Sequence, residues 1–143
     1  MLPAWTLRPA AHSDLEEIAE LRAVVLRPDL ERLGRYDDRR VRQRFRDSFE
    51  PTHARIIEID GVFAGSIALR PADGVHWLEH FFLLPSLQGR GLGSAVLSQV
   101  LAEHPGTIRL NVLQGSAARR LYERHGFTVD SEDPVDVFMT LRR

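Results

Sequence analysis

Three glycines at alternate positions, Gly89, Gly91 and Gly93, sit where an apolar run ends and an amphipathic one begins. The run Phe81-Phe82-Leu83-Leu84 stops at Pro85, and Leu92, Val96, Leu97, Val100 and Leu101 then fall on one helical face, so the stretch reads as strand, turn and helix. Glycines at a helix start leave the first N–H groups unpaired and uncovered by Cβ atoms, which makes an anion site. The helix dipole adds roughly 0.3–1 kcal/mol per favourable charge, or up to about 2 kcal/mol when partly buried, so a diphosphate suits it. Arg90 adds a formal positive charge beside it.

Three phosphate-binding designs compete for this loop. A Walker loop needs Gly-Lys-Ser/Thr, and all 19 basic residues of the chain are arginine. A dinucleotide fingerprint needs G-x-G-x-x-G, but the third glycine arrives one residue early, and Leu113 stands where an acid should hold the ribose. The third pattern, Gln/Arg-x-x-Gly-x-Gly/Ala, is met by Gln88, Gly91 and Gly93, with Leu84-Pro85 just ahead. Glycines also serve any tight strand-to-helix turn, so the loop alone leaves a purely structural role open.

The elements that must position this loop follow from local signals. Trp5 to Arg8 forms a first strand ending at Pro9. Ser13 and Glu16 form a capping box for a helix carrying Leu15, Ile18, Ala19, Val25 and Leu26, and this helix is expected to stop before Pro28. Residues 28–36 read as irregular. Asp37 or Asp38 caps a second helix with Val41, Phe45 and Phe49 stepping by four, ended by Pro51. Ala54–Ile59 and Val62–Leu69 are joined by Asp60-Gly61, a strong hairpin signal, and the Pro71–Gly74 turn leads into a strand from Val75 to Leu84. The glycine-loop helix ends at His104-Pro105-Gly106. A strand at Thr107–Val112, a helix at Ser116–His125 closed by Gly126, and a hairpin of Phe127–Asp130 with Val135–Leu141 complete the chain.

At 143 residues the chain fits a single domain over 1–143, and its 43% hydrophobic and 27% charged residues are ordinary for a globular protein. A net charge of -1 gives no general attraction to nucleic acid or membrane, and no apolar run reaches membrane-spanning length, which reads as a cytoplasmic protein. Zero cysteines exclude disulfides and a cysteine nucleophile, and the six histidines lack ligand-like spacing, so no metal is expected. Between Arg22 and Arg46 arginines outnumber acids. A solvated helix face accounts for this, while the functional alternative is that Arg35, Tyr36 or Arg39 hold an acceptor's carboxylate or phosphate. Monomer and homodimer are both left open.

A second motif, Asn111-Val112-Leu113-Gln114-Gly115-Ser116-Ala117-Ala118-Arg119-Arg120-Leu121-Tyr122-Glu123-Arg124-His125-Gly126-Phe127, lies about 20 residues beyond the first. Together the two motifs, in this order and within this strand–helix succession, resemble the GNAT superfamily of acyl-CoA-dependent N-acyltransferases. The resemblance covers nearly the whole chain. One departure is Gly115-Ser116, where many members start the helix with asparagine.

The resemblance implies an α/β (α+β) fold: a mixed, mostly antiparallel sheet of about seven strands with about four helices, splayed between strands four and five. It implies that acetyl-CoA serves as co-substrate. Its pantetheine would run along Phe82, Leu83 and Leu84, with the diphosphate on Gln88, Gly89, Arg90, Gly91, Leu92, Gly93 and Ser94. Asn111, Ser116, Arg119 and Tyr122 would lie near the arm and the thiol. Tyr122 is expected to protonate the departing thiolate and Glu79, or less favourably His80, to take the amine's proton. Glu79 is preferred because it shares strand parity with Trp77, Phe81 and Leu83. A small-molecule or peptide amine is the expected acceptor, transfer to it the expected reaction, and an acyl-CoA-binding or sensing module the alternative.

Overall fold

The computed structural model describes residues 2–143. Among them, seven strands form one sheet in the order β1-β2-β3-β4-β5-β7-β6: β1 Trp5–Pro9, β2 Ala54–Ile59, β3 Val62–Ala72, β4 Val75–Leu83, β5 Ile108–Leu113, β6 Thr128–Glu132 and β7 Asp136–Leu141. Every neighbouring pair is antiparallel except β4 with β5. The helices are α1 Leu15–Arg32, α2 Asp38–Ser48, α3 Leu92–Glu103 and α4 Ala118–Arg124. This is the mixed, mostly antiparallel sheet of seven strands with four helices expected above.

Adjacent strand residues point to opposite faces, and Ile56 and Ile57, both 0% exposed, divide accordingly. Ile57 joins Leu78, Leu83 and the α3 residues Leu92, Val96, Leu97 and Val100 in one core. Ile56 and Phe82 pack on the other face against Ile18, Ala19 and Leu21 of α1 and Phe45 of α2. The two sides of the sheet are therefore covered by different helix pairs.

The Asp60-Gly61 and Asp73-Gly74 turns carry positive φ at both residues, as tight hairpins with the right-handed strand twist require. Asp37 caps α2 as expected, its carboxylate accepting from the Arg39 and Arg40 N–H groups at 3.0 and 2.8 Å.

Two expectations for α1 fail. The helix does not stop before Pro28 but runs on to Arg32 with Pro28 inside it. Proline removes one helical hydrogen bond, but Val24, its would-be partner, lies on the exposed face, while Leu26 packs in the core and Leu30 is half-buried beyond it. Packing thus carries the helix one turn past the local breaker. The expected capping box does not form: neither Ser13 nor Glu16 caps α1, and Asp14 instead accepts the Ala11 N–H at 2.8 Å across the 3₁₀ turn that precedes the helix. Arg8 of β1 holds Asp14 in place through paired bonds of 2.9 and 3.0 Å, and Glu16 instead pairs with Arg46 of α2 at 2.8 Å.

Candidate active site

Strands β4 and β5 pair only at His76–Ile108 and Trp77–Arg109. Beyond these two rungs they diverge, and a cleft of about 1340 Å³ opens between them and beneath α1 and α2. Small-molecule sites usually measure about 300–1,000 Å³, so this volume accommodates two ligands side by side.

One wall is β4, and a bulge decides what it presents. Ser66 pairs with Phe82 and Ala68 with Glu79, so the single residue Ile67 spans two, His80 and Phe81. His80 takes φ 51°, and the buried Ser66 hydroxyl donates to its carbonyl at 2.7 Å. The expected parity of Trp77, Glu79, Phe81 and Leu83 is therefore broken. Phe81 and Leu83 side with Leu78 toward α3, whereas Glu79 and His80 both turn toward α1 and α2, the His80 ring meeting Phe45 edge-on at 4.8 Å.

Glu79 pairs with Arg70 at 3.0 Å, and its carboxylate lies 3.4 Å from His80 Nε2 without a hydrogen bond between them. Burial pushes the Glu79 pKa upward, but His80 and Arg70 outweigh it and hold the carboxyl below its ordinary range. Glu79 is thus an anion with a half-buried counter-charge, and His80 Nε2 is a buried nitrogen without a partner.

The cleft floor is the glycine loop. Pro85–Leu87 forms a single 3₁₀ turn, after which the Gln88 N–H bonds the Pro85 carbonyl at 3.2 Å and the Gln88 side chain reaches back to the Leu83 carbonyl at 3.1 Å. Gly89 and Gly91 take φ 74° and 86°, values open to glycine at little cost, and Gly91 is the residue preceding α3. The first helical bond runs from the Ala95 N–H to the Gly91 carbonyl at 3.1 Å, so the N–H groups of Leu92, Gly93 and Ser94 have no helical partner. The sequence expectation needs correcting at three places: the Gln88 N–H, the Leu83 carbonyl and the Leu84 N–H, which bonds Ala64 at 2.9 Å, are used within the protein. Gly89, Gly91, Gly93 and Ser94 line the cleft; Arg90 is exposed outside it, and the Leu92 side chain is buried in the core.

The far wall is β5 and α4. Asn111 lines the cleft and donates to Asp136 at 3.1 Å. Regular helix starts at Ala118, two residues later than expected, with the Ser116 hydroxyl accepting the Ala118 N–H at 3.2 Å. Arg119 pairs with Glu123 and does not line the cleft. A Cβ on Gly115 would lie 2.8 Å from the Arg32 guanidinium, which reaches across from α1 to the Gln114 carbonyl. That arginine fills the space an asparagine side chain would need. Tyr122 is 8% exposed, packs edge-on to Phe127, and its hydroxyl bonds no group among the described residues although it borders the cleft. Burial pushes its pKa far above the ordinary phenol value.

Of the three residues proposed from sequence to meet an acceptor, only Arg35 lines the cleft. The Tyr36 hydroxyl bonds Asp38 at 2.5 Å and its ring carries Arg27, while Arg39 borders a separate shallow depression on α2. Arg22, Arg40 and Arg44 line the cleft instead. Arg22 was legible in principle, since an arginine four residues from both Ile18 and Leu26 stands within the apolar stripe of α1.

No curated protein matches the chain in sequence. Among solved structures, PaiA N-acetyltransferase from Thermoplasma acidophilum, in complex with coenzyme A, superposes with a TM-score of 0.77 at 18% identity, covering 98% of this chain and 99% of that one. The ribosomal-protein-S18-alanine N-acetyltransferase from Escherichia coli gives 0.74 at 18% identity, with 96% and 93% covered. N-acetylglutamate synthase from Neisseria gonorrhoeae, complexed with coenzyme A and N-acetyl-glutamate, gives 0.67 at 18% identity, with 100% of this chain and 36% of that one covered. The model of the GNAT acetyltransferase family matches residues 14–127, most of the chain and both motifs, and the chain belongs to that family.

Proposed function

We propose that the 143 residues act as one domain that transfers an acetyl group from acetyl-CoA to a primary amine. The observation that carries this is a single cleft bordered by an anion, Glu79, by a partnerless phenol, Tyr122, and by the three unpaired N–H groups that begin α3. The glycine floor fits a diphosphate: its donors are free, and no protein atom lies within 4 Å of where a Cβ on Gly89 would stand.

In this reaction the amine nitrogen bonds the thioester carbon, the carbon–sulfur bond breaks, and one proton moves from nitrogen to sulfur overall. Glu79, held ionised, takes the proton directly or through a water, with His80 beside it. Tyr122 faces the leaving sulfur. Its hydroxyl has no other partner among the described residues, so Tyr122 stabilises the developing thiolate by donating a hydrogen bond to it. The departing thiolate then collects its proton from solvent.

Thermal unfolding with acetyl-CoA, against NAD and ATP as controls, tests the coenzyme placement: a ligand at about 100 times its Kd adds roughly 2.7 kcal/mol and raises Tm by several degrees. Thiol release with a panel of amines then tests transfer. A shift with no release from any amine favours an acyl-CoA-sensing module; no shift overturns the coenzyme site.

A further inference from the structure

The two helices over the acceptor end of the cleft carry eight arginines, and half are neutralised. Arg27 pairs with Glu31, Arg32 with Asp29, Arg42 with Glu20 and Asp38, and Arg46 with Glu16. Arg22, Arg40 and Arg44 form no ion pair among the described residues, and these three line the cleft.

The acids lining the cleft do not balance them, and two of the four are paired with arginines that do not line it. Asp29 is held by Arg32, Glu79 by Arg70, and Asp136 by Asn111. Asp133 accepts the Val135 and Asp136 N–H groups at 2.8 and 2.7 Å. The Asn111 amide and these backbone N–H groups are neutral, so Asp133 and Asp136 keep their charges; against them stand Arg22, Arg35, Arg40, Arg44 and Arg124, and the free charge of the cleft is net cationic.

Arg22 is the most constrained of the three. It springs from the buried side of α1, and one guanidinium N–H is used on the Val41 carbonyl of α2, which fixes the group between the helices. Guanidinium carries five donors, and none of the remaining ones is both buried and unpaired, so they open to the cleft. Burial, reinforced by the nearby Arg44 charge, holds the Arg22 pKa below its ordinary value. A partly desolvated cation beside a like charge is costly until an anion joins it.

The cluster is also near the proton acceptor. Val41 and Arg44 flank Phe45 on α2, and Phe45 packs against His80 next to Glu79. Glu79, His80, Arg22 and Arg44 all line the one cleft, so a single ligand there spans the proton acceptor and the arginines.

We infer that the acceptor is an amine bearing an anionic oxygen group, carboxylate or phosphate, held in the fork formed by Arg22 and Arg44 with Arg40 at its rim. This rests on the acetyl-transfer reading and adds to it the class of acceptor. Arginine suits the task because its planar donors meet either group bidentately. Cationic polyamines are disfavoured by the same charges.

The test reads binding separately from chemistry. Calorimetry on the CoA-saturated protein compares three anionic amines, L-glutamate, β-alanine and O-phosphoethanolamine, with L-glutamic acid diamide, β-alaninamide and ethanolamine. At least one anionic member should bind ten-fold or more tighter than its neutral counterpart, and the carboxylates and the phosphate rank each other as the natural group. Arg44→Gln, on an exposed side chain that leaves the fold intact, should reduce that preference at least five-fold; Arg22→Lys should also reduce it, while acetyl-CoA affinity stays unchanged in both. Equal affinity for charged and neutral partners, or a preference untouched in both variants, overturns the inference. If the preference is present but no amine releases thiol, the anionic site stands and the transferase reading falls. If thiol is released equally from charged and neutral amines, the reverse holds.

Discussion

Replacing Glu79 by glutamine removes the proton acceptor while keeping its shape. At pH 7 an alkylamine of pKa about 10.4 is free base in roughly four molecules per ten thousand, a handicap of about 4.6 kcal/mol on attack. A base positioned to take the proton as the nitrogen bonds the thioester carbon, when that N–H becomes far more acidic, contributes about 10²- to 10⁴-fold, or about 2.7–5.4 kcal/mol, so Glu79→Gln should lower kcat by that factor. Stability should barely change, because the Arg70 partner is 42% exposed and the Glu79 side chain 26%, and such pairs contribute about 0–1 kcal/mol. Acetyl-CoA affinity should be unaltered, since Glu79 lies on the wall away from the glycine loop. The pH profile adds a second check. The folded pKa of Glu79 is depressed, so the carboxylate is ionised above its ordinary range and lost only in acid below it. Between pH 6 and 9 the wild-type rate should therefore rise only with deprotonation of the acceptor, and the variant should show the same rise, displaced downward. Thiol release under saturating substrates is the assay. A variant within three-fold of wild type would refute Glu79 as base.

Tyr122→Phe should lower kcat by about ten- to a hundred-fold with acetyl-CoA affinity intact, and because the hydroxyl has no protein partner the loss in stability should stay below about 1 kcal/mol; unchanged kcat would remove the phenol from the reaction. Gly93→Ala should split two properties in opposite directions. A Cβ there meets the Leu83, Leu121 and Phe81 side chains at an ordinary 3.5–3.9 Å, so the helix gains about 0.5–1 kcal/mol, while the same methyl takes space where Gly93 lines the cleft and should weaken acetyl-CoA at least ten-fold. Undiminished affinity would move the diphosphate elsewhere. Asp14→Asn should cost about 1 kcal/mol at neutral pH once the exposure of Arg8 is allowed for. Arg8 holds the folded Asp14 pKa below 3.8, so this contribution is present above that value and is lost as pH falls through the depressed one. Urea titrations of both proteins that keep a constant gap into strong acid would contradict the pairing.

What the sequence made legible was written locally. Asp60-Gly61 sets its hairpin by backbone preference alone, Asp37 caps α2 from one residue away, and the glycines at 89 and 91 sit where φ must be positive. The misses were decided at long range. Pro28 costs a hydrogen bond of α1, but Leu26 packs just before it and Leu30 is half-buried just after it, and this burial is visible only once the other elements are in place. The α1 capping box failed because Arg8 of β1 fixes Asp14 in the 3₁₀ turn ahead of the helix and Glu16 was taken by Arg46, 30 residues away. Arginine in a helix reads the same whether paired or not, so the division between neutralised and free arginines could not be seen before the helices met.

The β4 bulge carries the most functional consequence of these. No glycine marks it: His80 sits at φ 51°, a conformation costing of order 1 kcal/mol or more for a residue with a side chain. A regular strand would put Glu79 and His80 on opposite faces, one toward the α3 core, where an unpaired carboxylate or imidazole has no place. The extra residue opposite Ile67 turns both toward α1 and α2, and Ser66, buried at 1% exposure, pins the distortion by bonding the His80 carbonyl. The strain is thus spent on bringing two polar side chains to one wall of the cleft, on the same side as the free arginines. Past the bulge the strand resumes its alternation, so Phe81 and Leu83 return to the α3 core and the Leu83 carbonyl is placed for Gln88, which ties the strand end to the glycine loop. One displaced residue therefore joins the acidic wall of the cleft to the geometry of its anion-binding floor.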